Sequence, residues 1–268
     1  MNELSTIICT SLLAMLGYMT FWFLIATLAK RNDIADTAWG LGFVYIATIS
    51  LFNNTNPDIV AWTAYILTVI WGLRLAIHVF SRNKGKKEDF RYAQWRKDWG
   101  KFFLIRSYFQ VFLLQGLLLI LVATPVILAT RLSTSLDVSA WYLAGLIVWI
   151  FGFYFEAVGD WQLSQYIKQK IAGKKMKSKI MDHGLWKYTR HPNYFGEVVQ
   201  WWGQWILLAS SAVAVGYKYL GLTGPVTITI LILFVSGIPL LEKKYAHDKE
   251  YQAYAKKTNK FFPWNPKD

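Results

Sequence analysis

Long apolar stretches alternate with short polar connections along the chain. Seven of them approach or exceed the length that crosses a bilayer as a helix, about 20 residues. They lie at about 7–29, 37–52, 58–80, 107–130, 139–158, 195–216 and 224–241. The pattern predicts an all-α membrane protein with seven transmembrane helices in a single domain, 1–268. Within that domain we distinguish N-terminal spans, about 7–80, from a C-terminal half, about 107–268.

The positions of Lys and Arg predict how these spans are oriented. Of the 29 basic residues, 26 lie in Lys30–Arg31, 82–106, 168–190 and the tail from Lys243. Basic connections of membrane proteins are cytosolic. We therefore expect an external N-terminus, a cytosolic C-terminus and a multi-pass protein, located in the inner or plasma membrane if the cell is bacterial. The net charge of +13 then reflects membrane orientation, and no nucleic-acid partner is expected.

The sequence lacks the residue patterns that metal binding, nucleophilic catalysis and phosphate-binding loops require. Cys9 is the single cysteine, and the four histidines show no zinc-ligand spacing, so no metal site is expected. There is no serine–histidine nucleophile pair, no phosphate-binding loop and no dinucleotide fingerprint after a strand. Cationic connections near amide-rich positions favour a soluble cofactor that carries phosphates, and the apolar spans favour a lipid-like substrate and contact with membrane lipid.

A row of polar residues enters the sixth predicted span. Pro192 fits the first turn of a helix, and Asn193, Glu197, Gln200 and Gln204 then share one helical face. Burying such a row is unfavourable unless it meets a ligand or a polar partner helix. Two interpretations stay open: a clamp for a cofactor, and a polar seam between packed helices.

Ionisable residues of other spans collect at the same predicted cytosolic end. They include Arg74 and His78 in the third span and Glu156 and Asp160 in the fifth. Such groups usually face a bundle interior or a water-filled cavity, so we expect one polar cavity surrounded by five helices. The alternatives are that Arg74 snorkels, that His78 is a packed histidine, and that Asp33 and Asp36 only stabilise a helix N-terminus.

The stretch Leu185–Glu197 reads LWKYTRHPNYFGE and is followed by Trp201-Trp202-Gly203. With 36–43, 71–78, 88–92, 106–110 and 155–163, it resembles the steroid 5-alpha-reductase superfamily. The whole chain resembles a bacterial branch of multi-pass proteins that contain a domain of unknown function. The resemblance implies a seven-span fold with a cytosolic C-terminus and NADPH in a cytosol-facing cavity. It implies a CH–CH oxidoreductase that reduces a carbon–carbon double bond in a lipid- or steroid-like enone.

The resemblance, together with the polar cavity, identifies candidate site residues. Steroid reductases polarise the substrate carbonyl with a third-span tyrosine and a second-span glutamate. Trp71 and Asp36 occupy these places here, and Asp36 is the candidate proton donor. Glu156 stands where steroid reductases tend to carry asparagine. The expected cofactor-binding residues are Arg74, Arg82, Asn83, Glu156, Asp160, Tyr188, Arg190, His191, Asn193, Tyr194, Glu197 and Trp201.

Two other classes of function compete with a reductase. Isoprenylcysteine and phospholipid methyltransferases, which use S-adenosylmethionine, carry a similar Arg-His-Pro-x-Tyr motif. They typically show a Glu-Glu pair after the last span, where this chain reads Leu241-Glu242-Lys243-Lys244, and this difference favours the reductase. A non-catalytic lipid-binding or transport protein is the third class.

Overall fold

The computed structural model describes residues 2–134, 139–174 and 178–267, and these residues contain helices and connections but no strand. The α-helices are α1 Glu3–Ala29, α2 Ile34–Phe52, α3 Ile59–Asn83, α4 Phe90–Trp99, α5 Phe103–Arg106, α6 Leu114–Leu132, α7 Ala140–Ile171, α8 Pro192–Ser210, α9 Val215–Gly221, α10 Thr223–Ile230, α11 Ile238–Lys244 and α12 Lys249–Lys257. Ser107–Leu113 and Leu231–Val235 are π-helical, and Gly100–Phe102 and Gly184–Lys187 are 3-10 turns.

Within the described ranges, six segments are long and apolar enough to cross a membrane. They are Glu3–Ala29, Ile34–Phe52, Ile59–Asn83, Phe90–Leu132, Ala140–Ile171 and Val215–Lys244. Helix α8 is absent from this set of described segments, because the polar row from Asn193 to Gln204 lowers its hydropathy. The protein is therefore a multi-pass α-helical membrane protein with six candidate spans. The sixth predicted span, at 195–216, and the orientation stay predictions.

Several predicted boundaries differ from the observed ones. The connection expected at 216–224 is wrong, since α9 occupies Val215–Gly221 and packs against α6. The basic segment 82–106, which was expected to connect two spans, contains two helices that were not predicted, α4 and α5. Helix α7 continues to Ile171, well beyond the predicted end at 158. Helix α8 begins at Pro192, which confirms the first-turn position expected for this proline.

The chain forms two compact units, of which the first comprises Met1–Ser139 and Leu207–Gly224. In it α2 packs against α1, α3 and α6, and the α2 side chains Phe43 and Ile46 are almost completely buried. A side chain on Gly40 would bring its Cβ within 2.7 Å of the Gly72 carbonyl oxygen. Glycine therefore lowers the helix propensity of α2 but allows the close approach of α3.

The second unit comprises Ala140–Ile206 and Pro225–Asp268. Its helices α7 and α8 approach closely through glycines: a Cβ on Gly152 would lie 2.7 Å from the Gly196 carbonyl oxygen, and one on Gly203 would lie 2.7 Å from the Trp149 amide. Small residues allow such helix contacts in membranes. This packing brings the carboxylates of α7 next to the amides of α8.

Candidate functional site

The α7–α8 seam, as we call Glu156, Asp160, Asn193 and Gln200, joins carboxylates to amides inside the second unit. Asn193 Nδ2 donates to Asp160 Oδ1 at 3.1 Å, and Gln200 Nε2 donates to Glu156 Oε2 and to the Gly196 carbonyl oxygen. Glu156, Asp160 and Gln200 are all buried. Asn193 and Gln200 of the polar row thus contact a polar partner helix, which was one of the two interpretations of that row.

The seam also keeps an unused acceptor. Gln200 Oε1 is buried, and no group in the described parts of the chain donates a hydrogen bond to it. A buried polar atom without a partner is unfavourable by about 1–3 kcal/mol. An arriving donor such as a carboxamide would remove that penalty, so the clamp interpretation also stays open.

A second cluster in this unit, the Glu242 hub, consists of Arg190, His191, Tyr251 and Glu242. Arg190 donates to Glu242 Oε1 from Nε at 2.9 Å and from the second guanidinium nitrogen at 2.6 Å. His191 Nε2 lies 3.3 Å from the same oxygen, and the Tyr251 hydroxyl lies 3.5 Å from it. One carboxylate of α11 therefore holds two residues of the Leu185–Glu197 motif.

The C-terminal segment pairs with the motif through its backbone. The Arg190 amide donates to the Asn259 carbonyl at 2.9 Å, and the Trp264 amide donates to the Tyr188 carbonyl at 3.0 Å. Thr189 Oγ1 donates to the Phe261 carbonyl at 2.8 Å. These bonds fix the turn that leads into α8 and its first polar residue, Asn193.

Burial shifts the titration of two groups in the hub. It lowers the pKa of the His191 imidazole, although the hydrogen bond to Glu242 and its charge act in the opposite direction. Burial, followed by the nearby Glu242 charge, raises the pKa of Tyr251 to about 12. His191 is consequently neutral near pH 7, and its contact with Glu242 is a hydrogen bond when Nε2 carries the proton.

The other predicted residues of the second unit differ in exposure. Tyr188 is exposed and lines a shallow pocket with Pro263, Trp264 and Asn265. Tyr194 and Glu197 are half-buried, whereas Trp201 is buried in α8. The Tyr194 ring stacks on His191 with a centroid distance of 5.8 Å.

In the first unit, Asp36 lies in an ion pair rather than alone. Arg91 donates to Asp36 Oδ2 at 3.1 Å, and the hydroxyl of the buried Tyr92 donates to Asp36 Oδ1 at 2.7 Å. Trp71 is buried in α3 and packs edge-to-face on Phe43, with a centroid distance of 5.1 Å. The two candidate catalytic residues therefore have a polar and an apolar environment, respectively.

Hydrogen bonds connect the segment before α4 to the start of α2, since the Asn32 amide donates to Glu88 Oε1 at 2.7 Å and the Asp89 amide donates to Asp33 Oδ2 at 3.3 Å. Arg31 pairs with Asp33 at 2.7 Å, and Arg96 pairs with Glu88 at 3.0 Å. Asp33 forms no side-chain cap on α2, and its carboxylate accepts instead from Arg31 and from the Asp89 amide. Hydrogen bonds and charge from Arg91 hold the pKa of Asp89 below its usual value, although burial acts in the opposite direction.

The remaining candidates lie along the second half of α3. Arg74 and His78 are half-buried, and Arg82 is exposed with its Nε 3.4 Å from Asn83 Oδ1. The expected five-helix cavity draws residues from both units and stays a prediction. Among the described residues, no three His, Cys, Asp or Glu side chains form a group that could hold a metal ion.

Three residues that the site prediction omitted take part in these clusters. Glu242 organises the hub, and Arg91 and Tyr92 hold Asp36. Arg91 and Tyr92 lie in the stretch 88–92, and Glu242 lies in the sequence Leu241–Lys244, both of which were compared with known families on the basis of the sequence. The spacing of these three residues did not indicate which side chains they would contact.

The fold and these clusters place the protein in the class of multi-pass helical membrane proteins with polar side chains packed between the helices. The chain belongs to the family described as "Protein of unknown function (DUF1295)", whose model matches residues 22–258. This family is part of the steroid 5-alpha-reductase-like group, in agreement with the resemblance of the motifs.

Two relatives are similar to the chain to different extents. Uncharacterized protein C594.04c of Schizosaccharomyces pombe is 24% identical over 265 residues, which cover 89% of this chain and 74% of the relative. Steroid 5-alpha-reductase DET2 of Gossypium hirsutum is 34% identical over 76 residues, 28% of each chain. No solved structure matches.

Proposed function

We propose that the protein is an NADPH-dependent membrane reductase of a carbon–carbon double bond in a lipid- or steroid-like enone. The observation that carries this proposal is the α7–α8 seam, in which the motif shared with the reductase group places amides against buried carboxylates and leaves the Gln200 acceptor without a donor. The similarity to a steroid 5-alpha-reductase supports the reaction class.

The donor and acceptor types of the second unit fit a nicotinamide dinucleotide. Asn193, Asp160 and Glu156 offer the amide and carboxylate groups that recognise a carboxamide and ribose hydroxyls. The exposed Lys187 and Tyr188, in the turn that precedes α8, offer a cation and an aromatic ring. When bound, NADPH supplies a hydride for the β-carbon of the enone. We place it on the cytosolic side, in keeping with the charge distribution along the chain.

The chain's own residues must stabilise the substrate carbonyl and provide a proton. In this proposal the Asp36–Tyr92 pair takes that role, because it joins a half-buried carboxylate to the hydroxyl of a buried tyrosine at 2.7 Å. Arg91 orients the carboxylate from its other oxygen. Trp71 is buried against Phe43, so in this proposal it supports the site through packing rather than through direct contact with the substrate. Asp36→Asn and Tyr92→Phe should each lower turnover more than they weaken NADPH binding.

A nucleotide screen tests the proposal against its alternatives. Purified full-length protein is melted with NADPH, NADH or S-adenosylmethionine at equal concentrations. A reductase is stabilised by NADPH, in proportion to RT ln(1 + [L]/Kd). Stabilisation by S-adenosylmethionine instead indicates a methyltransferase, and the absence of any shift favours a non-catalytic lipid-binding or transport protein.

A further inference from the structure

Glu242 lies at the centre of contacts that join three parts of the second unit. It belongs to α11, whereas Arg190 and His191 precede α8 and Tyr251 belongs to α12. Its Oε1 atom is within 3.5 Å of donor atoms from all three residues. The side chain of Glu242 is 23% exposed, and that of Arg190 is 11% exposed. The pair is thus largely shielded from water, where a charged hydrogen bond is stronger than at the surface.

The donors of Arg190 are almost fully used inside the protein. Two of its nitrogens bind Glu242, and a third donates to the carbonyls of Ala255 at 2.9 Å and Thr258 at 2.8 Å. A guanidinium has five N–H groups, so four bonds leave at most one for a ligand. Arg190 therefore acts on the end of α12 and is poorly placed to bind a dinucleotide phosphate.

The same contacts determine where the candidate binding residues lie. Arg190 is held by its side chain and also by its backbone amide on Asn259. Tyr188 precedes Arg190 by only two positions, and Asn193 follows it by only three. The short turn between them has little freedom once Arg190 and His191 are fixed. A substitution of Glu242 should therefore change the positions of both Tyr188 and Asn193.

We propose that Glu242 is a positioning residue of the site: by holding Arg190 and His191, it fixes the turn that presents Tyr188 and Asn193. The inference rests on the proposed binding of NADPH. Replacing Glu242 by Gln keeps the size of the side chain but leaves the guanidinium without its counter-charge. The turn should then loosen while the helices around it stay folded.

Hydrogen exchange of the protein without ligand tests the positioning itself. In Glu242→Gln, amides of residues 186–195 should exchange about tenfold faster than in wild type, while those of α3 stay unchanged. Glu250→Gln is the matched control, because it removes the same charge from an exposed pair with Lys179. Arg190→Lys keeps the charge but lacks the planar fork, and should give the same pattern as Glu242→Gln. Unchanged exchange at 186–195 in both variants would overturn the proposal.

The dissociation constant for NADPH, measured well below the melting temperature, completes the test. We expect about tenfold weaker binding in Glu242→Gln and Arg190→Lys, a loss of about 1.4 kcal/mol, and wild-type binding in Glu250→Gln. Faster exchange with an unchanged dissociation constant contradicts a role in the site. If wild-type protein binds no NADPH, the reductase proposal fails, and the exchange data alone decide whether Glu242 fixes the turn.

Discussion

Replacing Asn193 by Leu tests the α7–α8 seam and the proposed site together. The change removes an amide that donates at 3.1 Å to Asp160, whose carboxylate belongs to a residue only 9% exposed. A hydrogen bond to a charged group stabilises a protein by about 1.5–3 kcal/mol. Since Leu adds apolar contacts in the same place, we expect a net loss of about 1–2 kcal/mol in the free energy of unfolding, without ligand.

A double-mutant cycle separates the hydrogen bond from other effects of the substitution. Asp160→Leu, Asn193→Leu and the double variant are unfolded in detergent, and their free energies are compared. Removing both partners should cost less than the sum of the single changes, with a coupling of about 1 kcal/mol or more. Asn56→Leu, an exposed position between α2 and α3, is the control and should change stability by less than about 0.5 kcal/mol.

Binding then distinguishes a site from a purely structural seam. If Asn193 also contacts the cofactor, its Leu variant should bind NADPH about five- to a hundredfold more weakly, even after its lower stability is taken into account. A zero coupling energy in the cycle would refute the seam hydrogen bond. An unchanged NADPH dissociation constant in Asn193→Leu would refute the role of Asn193 in the site.

Three further predictions follow from charge. NADPH should bind more tightly than NADH, and added salt should narrow the difference, because a 2′-phosphate gains charged contacts with Lys and Arg that salt screens; equal dissociation constants contradict this. A reporter after Asp268 should be cytosolic and one at Asn54 external; an external C-terminus contradicts the orientation. Wild type should lose stability as pH falls through about 6.5, the ordinary His pKa, because burial lowers the pKa of His191 and the unfolded chain binds the proton first. In His191→Asn the loss of stability below about pH 6.5 should be smaller. If the variant and wild type show the same dependence of stability on pH, His191 does not cause the loss.

The sequence predicted the helices well where the signal was local. Runs of apolar residues marked the six candidate spans, and the span predicted at about 37–52 proved to be part of α2, a helix of 19 residues. The sixth predicted span, which contains most of α8, stays a prediction, because the polar row from Asn193 to Gln204 lowers the mean hydropathy of this helix. Helix α9 was missed because a short apolar piece between spans has the same composition whether or not it is helical.

The candidate site shows a similar division. Helical spacing was enough to place Asn193 and Gln200 on a face that would need polar partners, and Glu156 and Asp160 were already candidates. The Glu242 hub could not be predicted from the sequence, since Arg190 and Glu242 lie 52 residues apart. Half of the Arg190 contacts go to backbone carbonyls, which every residue type carries, so no side-chain pattern could have revealed them.

The helix contact and the chemistry of the seam depend on the same glycines. A side chain on Gly196 would collide with the backbone of α7 at Glu156, so a Gly196→Ala change must push α8 away from that carboxylate. The Gln200–Glu156 contact lies one turn further along α8 and would lengthen with it. Gly196→Ala should therefore weaken both folding and NADPH binding. In contrast, Gly216→Ala, where nothing lies within 4 Å of the added Cβ, should leave both unchanged. Equal behaviour of the two variants would show that the close approach of α7 and α8 does not set the geometry of the seam.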